Sequence, residues 1–357
     1  MRSAITAAVI LVTVVSTTAQ TRQPPNATIT AVPGIKVGHF TLSERPTGCT
    51  VILVDGDAVG GVAQHGGAPA TRETDSLHPL NTVERVHGVV LTGGSAFGLE
   101  VATGVVRWLE EQNVGFPTAA GKVPIVPAAA IFDLPVGSSP KIRPTADCGY
   151  RAAQGATTQP VTEGSVGAGA GATAGKLAGF LAQTGQAAGN LRPTKAGVGS
   201  SAIRLPNGLI LGAIVVVNAI GDIIDPSTGR VVAGMRNADG TFADARKILR
   251  AGGPLGAVRP GEHTTIGVVA TNASLTKAQV NRMALMADDA YARAINPAHT
   301  MGDGDTVFAL ATGRWTGAAD LTIVGALAAE SLADAVVRAA TQATGAAGIP
   351  AARELRR

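Results

Sequence analysis

The sequence predicts an α/β protein, and three observations carry the prediction. Short apolar runs rich in β-branched residues recur at 49–54, 88–91, 209–218 and in the second half of 262–272, each bounded by turn formers. Helical patterns lie between and after them, at 99–112, from Ser274 or Thr276 to about 295, and at 321–344. The composition suits buried strands joined by tight turns: of 357 residues, 45% are hydrophobic, 15% are charged and 46 are glycine. Aromatics make up 3%, so the core has to be Val, Ile, Leu and Ala with backbones packed closely. That scarcity leaves few stacking platforms for nucleic acid, and a net charge of +4 without a long basic stripe argues the same way.

The chain opens on a leader. Arg2 supplies a positive start, residues 4–15 an apolar stretch, and Thr17-Thr18-Ala19 a small-residue cleavage site, which together read as a signal peptide over 1–19. The apolar run is short for a bilayer span, although an uncleaved anchor is the other reading. A periplasmic or secreted mature protein is expected. Residues 20–33 are polar and Pro-containing and read as a linker. An oxidising compartment permits a Cys49–Cys148 disulfide; two separate buried thiols are the alternative. Neither cysteine has metal-like spacing, and no metal or cofactor is expected.

The loop at 66–75 is rich in turn formers and holds Arg72 beside Glu73 and Asp75, a charge cluster expected to be solvated or self-paired. The Gly-rich turn 92–98 follows a strand and opens the helix at 99–112, whose Leu99, Ala102, Val105, Val106 and Leu109 share a face. Such a turn aims backbone N–H groups at an anion. Ser95 in it is either a helix-start residue or a site residue; Phe97 excludes a nucleophile elbow. The run 123–134 reads as a strand broken by Pro124 and Pro127.

Residues 164–176 are almost free of side chains and end on Lys176, which either reaches inward or lies on a solvated face. Gly169–Ala174 matches a dinucleotide fingerprint superficially, but no convincing strand leads into it. Asn218 ends a strong strand, where it is either a turn former or a donor facing an oxyanion. Residues 221–262 are polar and turn-rich and read as an exposed excursion.

The central stretch is 262–272. Thr264 and Thr265 stand where its strand begins. They are either ordinary strand threonines or a latent nucleophile. A threonine hydroxyl becomes reactive when its own α-amine is the base, which requires a cut just before it. In the helix that follows, Asp288 and Asp289 are expected to face solvent. His299 reads as a hydrogen-bonded loop histidine. Asp303 and Asp305, at i and i+2 around Gly304, enter the next strand as an acid pair or as a plain turn. The Ala-rich helix at 321–344 implies close packing.

These residues resemble those of the autoprocessing aminopeptidase/amidase family that includes the DmpA-type L-aminopeptidase/D-esterase and the nylon-oligomer hydrolases. The resemblance runs through 71–75, 91–99, 126–134, 167–176, 264–272 and 303–306. It implies a four-layer α/β/β/α sandwich over 34–357, cut by the chain itself into 34–263 and 264–357, with a tetrameric tendency. Thr264 matches the nucleophile, His263 the residue before the cut, Asp303 and Asp305 the acid pair, Lys176 a catalytic lysine and Asn218 the asparagine at the oxyanion. Ser95 and Phe132 are expected on the substrate side. The acid pair and the Thr nucleophile resemble the nylon-oligomer-hydrolase branch; His263 stands where that branch commonly has Asn, and Phe132 where some members have Tyr. The implied activity is hydrolysis of small peptides or amides through a Thr acyl-enzyme, as an aminopeptidase. Acyl transfer of the ornithine-acetyltransferase kind, or a non-catalytic dinucleotide-binding protein, are the rival readings.

Overall fold

The computed structural model describes residues 26–177, 191–252 and 262–355. The expected leader lies outside them. Nine described strands form one mixed sheet: β1 (Ile35–Thr41), β2 (Gly48–Gln64), β3 (Thr71–Arg72), β4 (Arg85–Thr92), β5 (Ala128–Ala130), β6 (Val198–Arg204), β7 (Ile210–Asn218), β8 (Thr264–Thr271) and β9 (Thr306–Ala311). Their order is β6-β7-β8-β9-β2-β4-β5-β3, with β1 paired to the first half of β2. Neighbours run antiparallel except β8/β9 and β4/β5.

The sheet turns over through β2. Its first half pairs with β1 and its second half with β9, and its register against β4 shifts between Leu53 and Ala58. A register shift of this kind bends a strand and re-aims its faces. Alternation then sends side chains to three separate cores. Val51 and Leu53 pack with Val101, Val105 and Ala152 of helices α1 (Val101–Glu111) and α2 (Ala146–Gln154). Ile52 and Val54 share a second core with Ile266, Val268, Phe308 and Leu310. Val269 and Val307 meet Met283 and Leu332 of α3 (Lys277–Ala294) and α4 (Leu321–Thr341) in a third. Three cores between two helical and two strand layers make the α/β/β/α sandwich.

Sequence explains the helix ends. Thr276 caps α3 in a capping box with Gln279, and Asp320 caps α4. The low bulk of α4 lets β6 approach closely: a Cβ added to Gly199 would lie 2.0 Å from the Ala335 carbonyl oxygen. Cys49 and Cys148 form a disulfide with Cα atoms 6.2 Å apart, tying β2 to α2. No described helix is long and apolar enough to cross a membrane.

Three expectations change. The linker reading of 20–33 does not hold for its described part, because Ile29 and Val32 are fully buried in the central core. The excursion at 221–262 is not all exposed: Ile223, Ala233 and Met235 are buried. The Gly169–Ala174 segment follows a 3-10 turn, Gly167–Gly169, and ends in the two-residue strand Thr173–Ala174, so it is not the strand-to-helix turn that a dinucleotide site requires.

Candidate active site

Strand register assembles the site. Asn218 ends β7 and Thr264 begins β8, and the antiparallel pairing sets them opposite each other. The parallel partner β9 begins at Thr306, so the loop before it arrives beside the same end of β8. His263 and Asp303 extend that pairing by one isolated bridge. Thr264, Asn218, Asp303 and Asp305 are each 1–2% exposed.

The peptide bond between His263 and Thr264 is held on both sides. The Thr264 hydroxyl donates to the His263 carbonyl oxygen at 2.5 Å. The Gly304 N–H donates to the same oxygen at 2.8 Å. Gly304 has to lack a side chain: a Cβ there would sit 2.9 Å from Thr264 Oγ1 and 2.8 Å from the Ala68 carbonyl oxygen. A backbone donor on a carbonyl oxygen is the arrangement that stabilises negative charge when that carbonyl is attacked.

The two acids have different tasks. Asp305 Oδ1 accepts the Thr265 N–H at 2.7 Å, and Oδ2 accepts the His299 N–H at 3.0 Å. Asp303 Oδ2 accepts the Thr300 N–H at 2.9 Å and its hydroxyl at 2.6 Å. Burial, and then the neighbouring Asp305 charge, push the Asp303 carboxyl up to about 6.

Lys176 is half-buried as a residue, but protein surrounds its amine, which donates to the Asn218 carbonyl oxygen at 2.7 Å. Burial draws the amine down to about 7 against the opposing pull of Asp303, Glu262, Asp133 and Asp305. His263 is held neutral: burial, helped by the Lys176 charge, lowers it to about 2. The Asn218 side chain donates to the Phe132 carbonyl oxygen at 2.9 Å and accepts from the Thr173 N–H at 3.1 Å. Phe132 therefore joins the cluster through its backbone. Next to it, the Asp133 carboxylate is buried on Arg45 at 2.6 Å and receives the Gly94 N–H at 2.9 Å. Ser95 reaches this region only through its own N–H, which donates to Ile131 O at 2.9 Å; its hydroxyl has no hydrogen-bond partner among the described residues.

The structure thus brings Thr264, His263, Asp303, Asp305, Lys176, Asn218 and Phe132 together and leaves the Ser95 side chain apart. Sequence reading passed over Gly304, whose part is played by a backbone N–H and leaves no side-chain signal. It also misjudged Asp288, which is 2% exposed. The signal was there: Ala284 and Tyr291, four before and three after it on α3, are both fully buried. Lys195 was missed too. It is fully buried, and its amine, drawn down to about 7 by burial, donates to Gly169 O at 2.9 Å and to Ala196 O.

Comparison with known proteins adds four findings. Residues 27–353 match peptidase family S58. An uncharacterized aminopeptidase of Mycobacterium tuberculosis is 42% identical over 355 residues, 92% of this chain and 97% of that one. The 6-aminohexanoate-oligomer endohydrolase of Kocuria sp. is 30% identical over 324 residues, 86% of this chain and 84% of that one. Among solved structures, the L-aminopeptidase D-Ala-esterase/amidase of Ochrobactrum anthropi, described as a variant of the Ntn-hydrolase fold, superposes with a TM-score of 0.63 at 20% identity, covering 90% of this chain and 87% of that one.

Proposed function

This chain belongs to peptidase family S58 and is a hydrolase of peptide or amide bonds, and on that premise we propose that it cuts itself between His263 and Thr264 and uses the freed Thr264 as its nucleophile. One observation carries the reading: the Thr264 hydroxyl and the Gly304 N–H both engage the carbonyl oxygen of the bond to be cut, at 2.5 and 2.8 Å.

In the first reaction Thr264 Oγ attacks the His263 carbonyl carbon. The Lys176 amine, near 7, takes the hydroxyl proton, and the Gly304 N–H holds the oxyanion. The C–N bond breaks, and the Thr264 nitrogen leaves as an amine after receiving a proton. Water then hydrolyses the ester to a His263 carboxylate and a free Thr264. In the second reaction the α-amine, with a solution pKa of about 7.7–8.0, is the base. Thr264 Oγ attacks a substrate amide, the amine product departs, and water releases the acyl group. Asp305 fixes the nucleophile through the Thr265 N–H, and the Asp303 carboxyl tunes the new amine. Asn218, opposite Thr264 in the sheet, has one side-chain N–H beyond the bond it gives Phe132, and in this reading that hydrogen serves the substrate oxyanion.

The substrate is a small peptide or amide, taken as by an aminopeptidase. The named activities of the two relatives support that class. The Cys49–Cys148 disulfide and the expected leader support export to the periplasm or beyond. A homotetramer of cut units is the proposed assembly.

Denaturing electrophoresis of the purified protein tests the reading. Two fragments are expected, the smaller beginning Thr-Thr-Ile by N-terminal sequencing. Thr264→Ala is expected to stay one chain and to be inactive on aminoacyl p-nitroanilides. A fully active chain still joined at 263–264 would sink the proposal.

A further inference from the structure

Asp288 is a buried carboxylate placed where three chain segments meet. It projects from α3, His65 follows the end of β2, and His299 lies in the loop that leads to the acid pair. His65 Nδ1 lies 2.5 Å from Asp288 Oδ2, and His299 Nε2 lies 3.2 Å from the same oxygen. One potential ligand atom from each of the three residues falls within 4.8 Å of the others. The second carboxylate oxygen, Asp288 Oδ1, is buried and has no hydrogen-bond partner. A buried carboxylate oxygen left without a donor costs free energy unless something positive meets it.

We propose that His65, Asp288 and His299 form a binding site for a divalent transition-metal cation, with Zn2+ as the best fit. Two imidazoles and a carboxylate are the donors that Zn2+ takes, at about 2.0–2.2 Å, and they leave a fourth position open. The hard cations Ca2+ and Mg2+ want more oxygen ligands than are present. The His65 side chain is 48% exposed while Asp288 and His299 are 2% and 23% exposed. His65 is therefore the ligand with freedom to turn, and the ion enters and keeps its water on that side.

The outer contacts fit as well. His299 Nδ1 faces Asp305 Oδ2 at 3.1 Å. Metal-bound histidines commonly give their other ring N–H to a carboxylate, which fixes the tautomer and leaves the second nitrogen's lone pair for the ion. His299 is held with a φ of 55°, in the left-handed region, which aims its ring between the two acids. Binding replaces the proton on His299 Nε2 with the cation, and a small turn of the ring lets Nδ1–H, now 3.1 Å from Asp305 Oδ2 without a formed hydrogen bond, donate to that carboxylate. The ion therefore joins α3 and the end of β2 to the loop that carries Asp303 and Asp305, without touching the nucleophile.

The test uses the full chain stripped by a chelator and then dialysed. Zn2+ is titrated by calorimetry, Co2+ by its visible absorption, and Tm is read against free Zn2+. One ion per chain is expected, with a tetrahedral Co2+ spectrum and a Tm that climbs once free Zn2+ exceeds Kd. His65→Ala changes an exposed residue outside the catalytic machinery, so a folded chain with unchanged basal hydrolysis and a lower metal-free Tm is expected, since Asp288 loses a partner, while affinity falls at least ~10-fold. His78→Ala, another exposed histidine, is the control and should bind as the wild type does. Absence of saturable Zn2+ binding overturns the proposal. So does equal binding by the wild type and His65→Ala, which would mark adventitious surface histidines.

Discussion

Lys176, Asp303 and Gly304 stand around the proposed scission bond, and their roles should separate under substitution. The Lys176 amine is charged below about 7 and cannot then accept the Thr264 proton. Self-cleavage should therefore slow ~10-fold per pH unit below that value and level off above it. Lys176→Arg keeps the charge at every such pH and should cut slowly throughout, followed as loss of the intact band after a pH jump. Normal cutting by that variant would leave Lys176 with charge alone as its contribution. Asp303 titrates the opposite way. Its folded carboxyl, raised to about 6, holds a proton that the unfolded chain releases near 3.8, so this contribution to stability is full below ~3.8 and is lost as pH rises through about 6. Asp303→Asn should flatten that part of the urea-midpoint profile. Gly304→Ala brings a methyl group against Thr264 Oγ1, and a folded chain whose cutting is slowed ~10²-fold or more is expected on electrophoresis.

Elements meet here at unusually short range, because small residues were placed where strand and helix cross. Gly199 of β6 lies under Ala335 and Ala339 of α4, and a Cβ there would come within 2.0 Å of backbone oxygen and 2.3 Å of backbone nitrogen. Neither atom can swing aside as a side-chain tip would. Gly199→Ala should lower stability by about 1–3 kcal/mol, read as a drop in urea midpoint at constant slope. An unchanged midpoint would mean that α4 slides without cost. The closeness was legible in the Ala-rich run of α4, and the Thr276 cap was visible as one of two choices. The bend of β2 was not, since nothing in a 17-residue strand says which half will pair with β1 and which with β9.

At the scale of the molecule, the proposed cut falls inside a sheet rather than between domains. Residues 264–357 supply β8 and β9, which lie between β7 and β2, together with both helices of one outer layer. The first fragment keeps the core between β2, β4, α1 and α2, but the other two cores draw residues from both fragments. The cut protein should elute as one species in native size-exclusion chromatography and separate only in denaturant; dissociation of the fragments in buffer would contradict the interleaved sheet. Between β2 and the helix α2 packed on it, the disulfide closes a separation of 99 residues. Cys148→Ser should cost about 2–5 kcal/mol under oxidising conditions, and reductant should erase the difference from wild type.

The chain by itself determined the chemistry that was possible. Its apolar runs set the strands, its small residues set how near they pack, and Thr264, Lys176, Asn218, Asp303 and Asp305 stand out by type and place in motifs spread over 130 residues. Only the tertiary structure decided which of them meet. Asn218 faces Thr264 because of antiparallel register, and the acid loop reaches His263 because β9 runs parallel to β8. The same holds for Gly304, Asp288 and His299, whose parts arise from a backbone N–H, a buried helix face and a left-handed turn. Such roles are properties of distance between segments remote in sequence, and a linear pattern carries no record of that distance until the sheet has closed.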